Sequence, residues 1–337
     1  MNVGRRAYSW LARQRGAAGP LLGLALVVAL FTLLDPNRRF LGPANVQMVL
    51  TQAAVTAVAG LGMTLVVISG GIDLSVGSVI ALVTVVAAMS LNAGVPAVLV
   101  IGLGIATGAF CGLLNGVLIT TLRVVPFIIT LGMLGAARGA AKGIPKWIGG
   151  QTAQGTVQPI SPDAWPAWIM NLLSKLPEYQ FLHLSAGLWL LVALSLFFMA
   201  VLKWSVLGRH AFAIGSSEAT ARLCGIRVGR TKVAIYTLCG SMVGMAGLLQ
   251  FSRSSIGDPT AALGQELDVI AAVVIGGGSL SGGAGSVAGT LTGALLIQFL
   301  RAGCLSQGWP TAAQEIIIGA IIVAAAAVDR LRHRRVG

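Results

Sequence analysis

The chain has 337 residues, of which 56% are hydrophobic and only 10% charged, and its mean hydropathy is +0.87. Soluble globular proteins carry about 25% charged residues, so a soluble enzyme or binding module is excluded, and the lack of sustained apolar–polar alternation excludes a transmembrane β-barrel. The net charge of +13 does not point to nucleic acid, because the basic residues sit in short segments between apolar runs and at both ends, as cytoplasmic anchors do under the positive-inside rule.

Apolar runs of about 20 residues, the length that crosses a bilayer as a helix, recur along the chain. Arg5, Arg6, Arg13 and Arg15 precede the first run. No small-x-small cleavage pattern follows it, so it reads as an uncleaved span over 20–35 with a cytoplasmic N-terminus. Asp35 to Arg39 forms an outside loop. The second span covers 45–69, and Gly60 and Gly62 in its middle suggest a bend or split. The third covers 75–92. The fourth, 97–120, carries Gly104, Gly108, Gly112 and Gly116 at a spacing of four. That spacing places them on one face, a seam for close helix packing. Arg123 marks a short turn, and the fifth span runs over 125–141 from Pro126 in its first turn.

Residues 142–182 are the longest polar segment, with Trp147, Trp165 and Trp168 suited to a membrane interface. Residues 164–176 are expected as a short surface helix, and the segment either as an interfacial loop or as a docking surface for an extracytoplasmic partner. A sixth span, 185–202, precedes the most basic loop, 203–232, which charge places in the cytoplasm. The seventh span is 233–251. Arg253 to Gln265 is a turn-rich outside segment. The eighth apolar run, 267–278, is short for a crossing. Spans over 286–301 and 312–328 follow, then a basic tail.

The sequence therefore predicts an all-α, polytopic integral membrane protein of about ten transmembrane helices with glycine-rich breaks. It forms one membrane domain, 20–328, between an N-terminal segment, 1–19, and a tail, 329–337, both cytoplasmic. The four cysteines and three histidines have no metal-ligand spacing.

The charge pattern singles out one stretch. Asp73 is the only charged residue between Leu41 and Leu122, and an unpaired carboxylate at the bilayer centre costs roughly 2.5–3.5 kcal/mol. It lies among Gly70, Gly71, Ser75 and Gly77, where the backbone is free to turn. It is either a solvated turn or a polar break lining a substrate path. A related pattern recurs at an offset of 206 residues, where Gly71, Leu74, Ser75 and Gly77 fall on Gly277, Leu280, Ser281 and Gly283. Ten crossings put both breaks on the cytoplasmic side. Transporters often carry internal repeats with broken helices, and the breaks are expected as hinges or gates at Gly70, Gly71, Asp73, Ser75, Gly77, Gly277, Gly278 and Gly283. No G-x-x-x-x-G-K-[ST] motif is present, so the chain is not expected to hydrolyse ATP. Gly283 to Ala288 fits G-x-G-x-x-A but lacks a βαβ context. No nucleophile elbow or H-E-x-x-H occurs.

Several stretches together resemble the permeases of bacterial ribose-type sugar ABC importers. They are Gly62-Met63-Thr64-Leu65-Val66-Val67 leading into Gly71 to Gly77; Phe127 to Met133 with Arg138-Gly139; Gly208-Arg209 through Gly225-Ile226; Pro259-Thr260 with Glu266-Leu267-Asp268 and Ile270 to Gly277; and Gly289 to Ala294. The resemblance covers roughly 45–328. It implies an inner-membrane subunit that moves a monosaccharide inward. The implied partners are a second permease subunit, ATPase subunits that bind ATP and magnesium, and a periplasmic or lipid-anchored sugar-binding protein. No cofactor belongs to the chain itself. The ATPase is then expected to dock on the basic loop around Arg209, Glu218, Ala219, Arg222 and Gly225. Neutral polyols call for neutral hydrogen-bonding groups and aromatic faces, and Gln52, Asn115, Phe127, Thr130 and Gln250 inside spans are the path candidates. Asp73 is assigned to a gate or structural cap. The rivals are an ABC permease for a nucleoside, branched-chain amino acid or furanone-type signal, and a stand-alone secondary transporter. The latter would need deep ionisable residues, whereas Glu266, Asp268 and Glu315 are expected near span ends. Arg301 is the one arginine expected deep in a span.

Overall fold

A computed structural model describes residues 3–35, 39–150, 152, 155–160, 165–170, 172, 180–181 and 184–334. Its helices in chain order are α1 (Val3–Leu34), α2 (Pro43–Ile68), α3 (Val76–Asn92), α4 (Ala97–Leu122), α5 (Pro126–Ile148), α6 (Ala167–Met170), α7 (Ala186–Trp204), α8 (Val206–Ser216), α9 (Glu218–Leu223), α10 (Val228–Ser254), α11 (Gln265–Ile275), α12 (Val287–Ser306) and α13 (Thr311–Arg334). One two-residue antiparallel pairing joins Gln180–Phe181 to Leu184–Ser185.

Each of the ten expected spans is a helix. Six of them, α2, α4, α5, α7, α10 and α12, are long and apolar enough to cross a membrane. The apolar helical stretches Gly19–Leu34, Val76–Asn92 and Thr311–Ala324 are shorter. Helix α11 has 11 residues, about 16 Å at 1.5 Å per residue, and reaches only partway. The chain is a multi-pass helical membrane protein; ten full crossings are not what these lengths give.

Helix α2 forms the centre, with every residue from Ala53 to Ile68 buried. It runs without interruption through Gly60 and Gly62, so the helix is not split there. These glycines instead admit neighbours, since a Cβ on Gly62 would meet the Cys239 backbone at 2.7 Å and one on Gly60 the Thr290 methyl at 2.8 Å. Thr64 and Thr290 share a 2.7 Å hydrogen bond, and Gln298 Nε2 donates to Thr56 Oγ1 at 3.0 Å, pinning α12 on α2.

The glycine face of α4 packs on α10. Gly108 lies against the backbone of Gly240 and Gly244, Gly112 against Tyr236, Gly116 against Val233, and Gly104 against Leu248. Lipid supplies no hydrophobic drive between helices, so van der Waals contact at such short separation does the work.

Helix α5 continues to Ile148, beyond the expected end at 141, and takes Lys142 and Lys146 into its last turns. Lysine stems lie along apolar surface while the ammonium reaches water. Helix α10 likewise starts at Val228, not 233. In the polar segment 142–182, Ala167–Met170 is a single helical turn. Residues 164, 171 and 173–176 of the expected 164–176 helix, together with Gln151, Gln154, Asp163 and Glu178, lie outside the described residues, as do residues 36–38 of the first loop. What is described is tied down: Trp165 Nε1 donates to Asn92 Oδ1 at 2.7 Å, Trp165 stacks on Phe251, and Val157 and Gly257 exchange backbone hydrogen bonds of 2.7 and 2.8 Å.

The Arg253–Gln265 segment is not a simple outside turn. It folds back along α3 into the bundle. Gly257 packs on Ala88, the Asp258 amide donates to Thr84 Oγ1 at 3.1 Å, and Ala262 and Glu266 lie beside Gly77. Arg138 of α5 holds it by donating to the carbonyls of Pro259 and Ala261, both at 2.8 Å. As a result α11 starts inside the protein. Asp268 lies in the first turn of α11, near the helix end as expected, but is buried and ion-paired with Arg301 at 2.8 Å.

Candidate functional site: two helix breaks and the basic loop

Both breaks end their helices by the same device. At the end of α2, Gly70 adopts φ +77°, its amide bonds the Val67 carbonyl at 2.9 Å, and the Gly71 amide bonds Val66 at 2.9 Å. At the end of α11, Gly277 adopts φ +90°, its amide bonds Val274 at 2.9 Å, and the Gly278 amide bonds Val273 at 2.8 Å. Each is a Schellman motif, in which a left-handed residue lets two amides close the last carbonyls. Gly70 thus corresponds to Gly277 and Gly71 to Gly278. The sequence echo is one residue out of the backbone register, because it aligned Leu-Ser pairs that have no common geometry.

Beyond that turn the breaks diverge. In the first, Asp73 Oδ1 accepts from the Ser75 amide at 2.9 Å and the Ser75 hydroxyl at 2.6 Å, an Asx turn that launches α3. Asn115 of α4 donates to Ser75 Oγ at 3.1 Å, and Thr130 of α5 donates to the Ile72 carbonyl at 3.3 Å. Asp73 is buried; hydrogen bonds to a charged group contribute about 1.5–3 kcal/mol each, enough to offset much of its insertion cost. The second break, Gly276 to Ser286, is four residues longer than Ser69 to Ser75. It folds on itself through Ser279 N to Ala284 O at 3.0 Å, and Ser286 Oγ caps α12 at the Gly289 amide, 3.1 Å.

The two breaks touch. The Gly283 amide donates to the Ile68 carbonyl at 2.8 Å, satisfying an end group of α2. The basic loop touches both. It is not a loop in form but two helices, α8 and α9, each capped by a serine: Ser205 accepts from Gly208 N and Ser217 from Thr220 N. Gly215, in the last turn of α8, lies so close that a Cβ there would strike both the Ile68 carbonyl and the Gly283 amide. A Cβ on Gly282 would meet the Gly215 backbone at 2.8–3.1 Å. No residue but glycine fits this three-way backbone contact.

Within the loop, Glu218 bonds Arg222 at 2.5 Å and Lys232 at 2.7 Å, tying α9 to α10. The Lys232 hydrogen bond, ahead of Arg222, holds the Glu218 carboxyl below its ordinary value of 4.5. Ala219 lies on exposed α9, Gly225 turns the chain with φ +80°, and Arg209 donates to the Trp204 carbonyl at 3.1 Å.

The path candidates do not converge. Asn115 and Thr130 are buried on the first break. Phe127 is exposed at the start of α5, and Gln52 is half-buried on α2. Gln250 is near the far end of α10, accepting from Arg253 at 3.2 Å. Gly215 entered the sequence reading only within the family-like stretch from Gly208 to Ile226; the run Ile214-Gly215-Ser216 carries no local signal for a contact with two distant segments. Tyr236, whose hydroxyl is buried beside Gly71 with no hydrogen-bond partner, was equally silent.

The chain is similar in sequence to known proteins. The family model described as branched-chain amino acid transport system / permease component matches residues 45–326. The chain is similar to Ribose import permease protein RbsC of Escherichia coli (strain K12), 35% identical with 98% of each chain covered. It is also similar to the Bacillus subtilis (strain 168) protein of that name, 37% identical over 93% of this chain and 92% of the other. L-arabinose ABC transporter permease protein AraH of Azospirillum brasilense is 32% identical over 96% and 92%. With two buried helix breaks fastened to a basic two-helix loop, and with similarity along almost its whole length, the chain belongs to this family of ABC import permeases.

Proposed function

We propose that the chain is the transmembrane subunit of an ATP-driven importer that brings a monosaccharide, a ribose-like pentose or a hexose, into the cytoplasm. The observation that carries this reading is the contact of Gly215 with Ile68 and Gly283. A compact element between long helices transmits rigid-body motion, and α8 has no slack between itself and either break. ATP and magnesium are bound by ATPase subunits that dock on α8 and α9 at the cytoplasmic face, around Arg209, Glu218, Ala219, Arg222 and Gly225. Closure of the ATPases moves α8, and the breaks at Gly70–Gly77 and Gly276–Ser286 change together. A second permease subunit completes the path in the bacterial inner membrane, and a binding protein delivers the sugar to the opposite face. The basic loop sets the orientation, with both termini cytoplasmic. The sugars named for the relatives support the substrate class. An amino-acid substrate would want a free cation for its carboxylate, yet Arg301 is engaged by Asp268. That same pair leaves Asp268 poorly placed to couple an ion gradient.

The test is reconstitution of the permease in liposomes with the ATPase and binding protein encoded beside it, supplied with radiolabelled ribose, arabinose and fructose. Uptake of one of these that requires ATP and both partners is expected. Uptake by the permease alone under an ion gradient would overturn the proposal.

A further inference from the structure

Between the α4–α5 turn and the start of α10 lies a cavity of about 410 Å³, bordering the proposed ATPase-docking face through Glu218 and Arg222. Three cations line it: Arg123, Arg222 and Lys232. Among the described residues, Glu218 is the one acid in its wall and is shared by Arg222 and Lys232, and Arg123 has no acceptor; three cations against one acid leave the wall a surplus of two positive charges. The backbone of Val228 and Gly229, the first turn of α10, completes it, and the α10 N-cap residue provides no side-chain bond there.

Val125 in the wall is 63% exposed, and Leu122 and Leu223, chain neighbours of the lining residues Arg123 and Arg222, are 59% and 89% exposed. Arg123 is the residue that ends span α4, which puts the cavity at the end of an apolar helix. Cations within the wall, with an exposed valine in it and exposed leucines next to it in the chain, match a molecule that is anionic at one end and apolar at the other. We infer that this cavity is a binding site for the headgroup of an anionic phospholipid, with the acyl chains descending over Val125 and Leu122. Basic pockets between transmembrane helices hold such headgroups, at about 1 kcal/mol per Lys or Arg. Because Arg222 and Lys232 also hold Glu218, an occupied site stiffens the α9–α10 junction.

Native mass spectrometry of the full-length permease, released from detergent with phosphatidylglycerol or phosphatidylcholine added, tests this independently of the solute transported. Phosphatidylglycerol should be retained in preference to phosphatidylcholine. Arg123→Gln should lower that preference about five-fold, the equivalent of about 1 kcal/mol. Arg123→Lys should retain most of it, and Lys142→Gln, the same charge change at the far end of α5, should leave it intact. Arg222→Gln, on an exposed helix surface, serves if Arg123→Gln is not monodisperse. Equal retention of the two lipids, or equal effects of Arg123→Gln and Lys142→Gln, overturns the proposal. Displacement of the lipid by millimolar inorganic phosphate, or its complete loss on ATPase binding, also overturns it, by assigning the cations to a free anion or to the ATPase.

Discussion

The two breaks begin alike and finish differently. Both α2 and α11 stop in a Schellman turn, yet the first break is held by side chains and the second by backbone packing. Asp73, Ser75 and Asn115 form a hydrogen-bonded chain across the first, and Thr130 bonds the Ile72 carbonyl beside it. At the second, Gly276 faces Gly289 so closely that a Cβ on either would enter the other's backbone. The helix-ending residue is Ser69 in one and Gly276 in the other for this reason. A break built on side chains tolerates shape-preserving substitution; one built on backbone contact tolerates none.

The largest effect that tests this contrast is Gly276→Ala. Its φ of −67° is ordinary, so all of the cost is steric. Forcing a methyl into the α11–α12 seam should cost about 3 kcal/mol, the upper range for overpacking, and lower the thermal midpoint sharply. Gly70→Ala should cost about 1 kcal/mol, from left-handed strain alone, because its nearest neighbour is the Ser281 carbonyl at 4.0 Å. Equal losses would remove the distinction between the breaks.

Asp73→Ala leaves the buried Ser75 amide and hydroxyl without their acceptor and should cost about 2 kcal/mol, within the 1–3 kcal/mol of such orphaned groups. Asp73→Asn keeps an acceptor oxygen and should cost well under half as much, read as melting in detergent. Normal stability of the alanine variant would show that the carboxylate does not hold the first break.

Gly215→Ala bears on the contact joining the breaks to α8. Sugar uptake should fall about ten-fold while ATP hydrolysis by the assembled complex persists, an uncoupling equivalent to about 1.4 kcal/mol. Parallel loss of both activities would mean that the loop no longer docks. The smallest effect concerns the loop itself. The depressed Glu218 pKa adds stability that is present above its ordinary value of 4.5 and lost as pH falls through the lower folded value. Protease access to the α9–α10 junction should therefore rise only below about pH 4.5, and Glu218→Gln should abolish that pH dependence.

Much of this was legible in the residues. The charge-poor runs marked the ten expected spans, though not α8, and the four-residue glycine spacing of α4 marked its seam with α10. Local spacing fails where a glycine's role depends on its neighbour: Gly60 and Gly62 read as a bend and act as contact points for Thr290 and Cys239. Arg253–Gln265 read as an outside turn because its polar residues resemble one. Arg138, over a hundred residues away in sequence, satisfies two of its carbonyls and draws it inside. The path candidates were chosen by chemical type, and type alone does not tell a bond between helices from a group facing a path.

By itself the sequence determined the membrane class, the helices, the basic loop and the two glycine breaks. These follow from hydropathy, charge and the conformational freedom of glycine, all properties of short windows. Only the tertiary structure decided that the breaks share the Ile68–Gly283 hydrogen bond, that Gly215 locks them to α8, and that Asp268 meets Arg301. Those contacts join segments far apart in the chain, and backbone groups, identical in every residue, form most of them. Side-chain patterns carry no record of where two backbones meet.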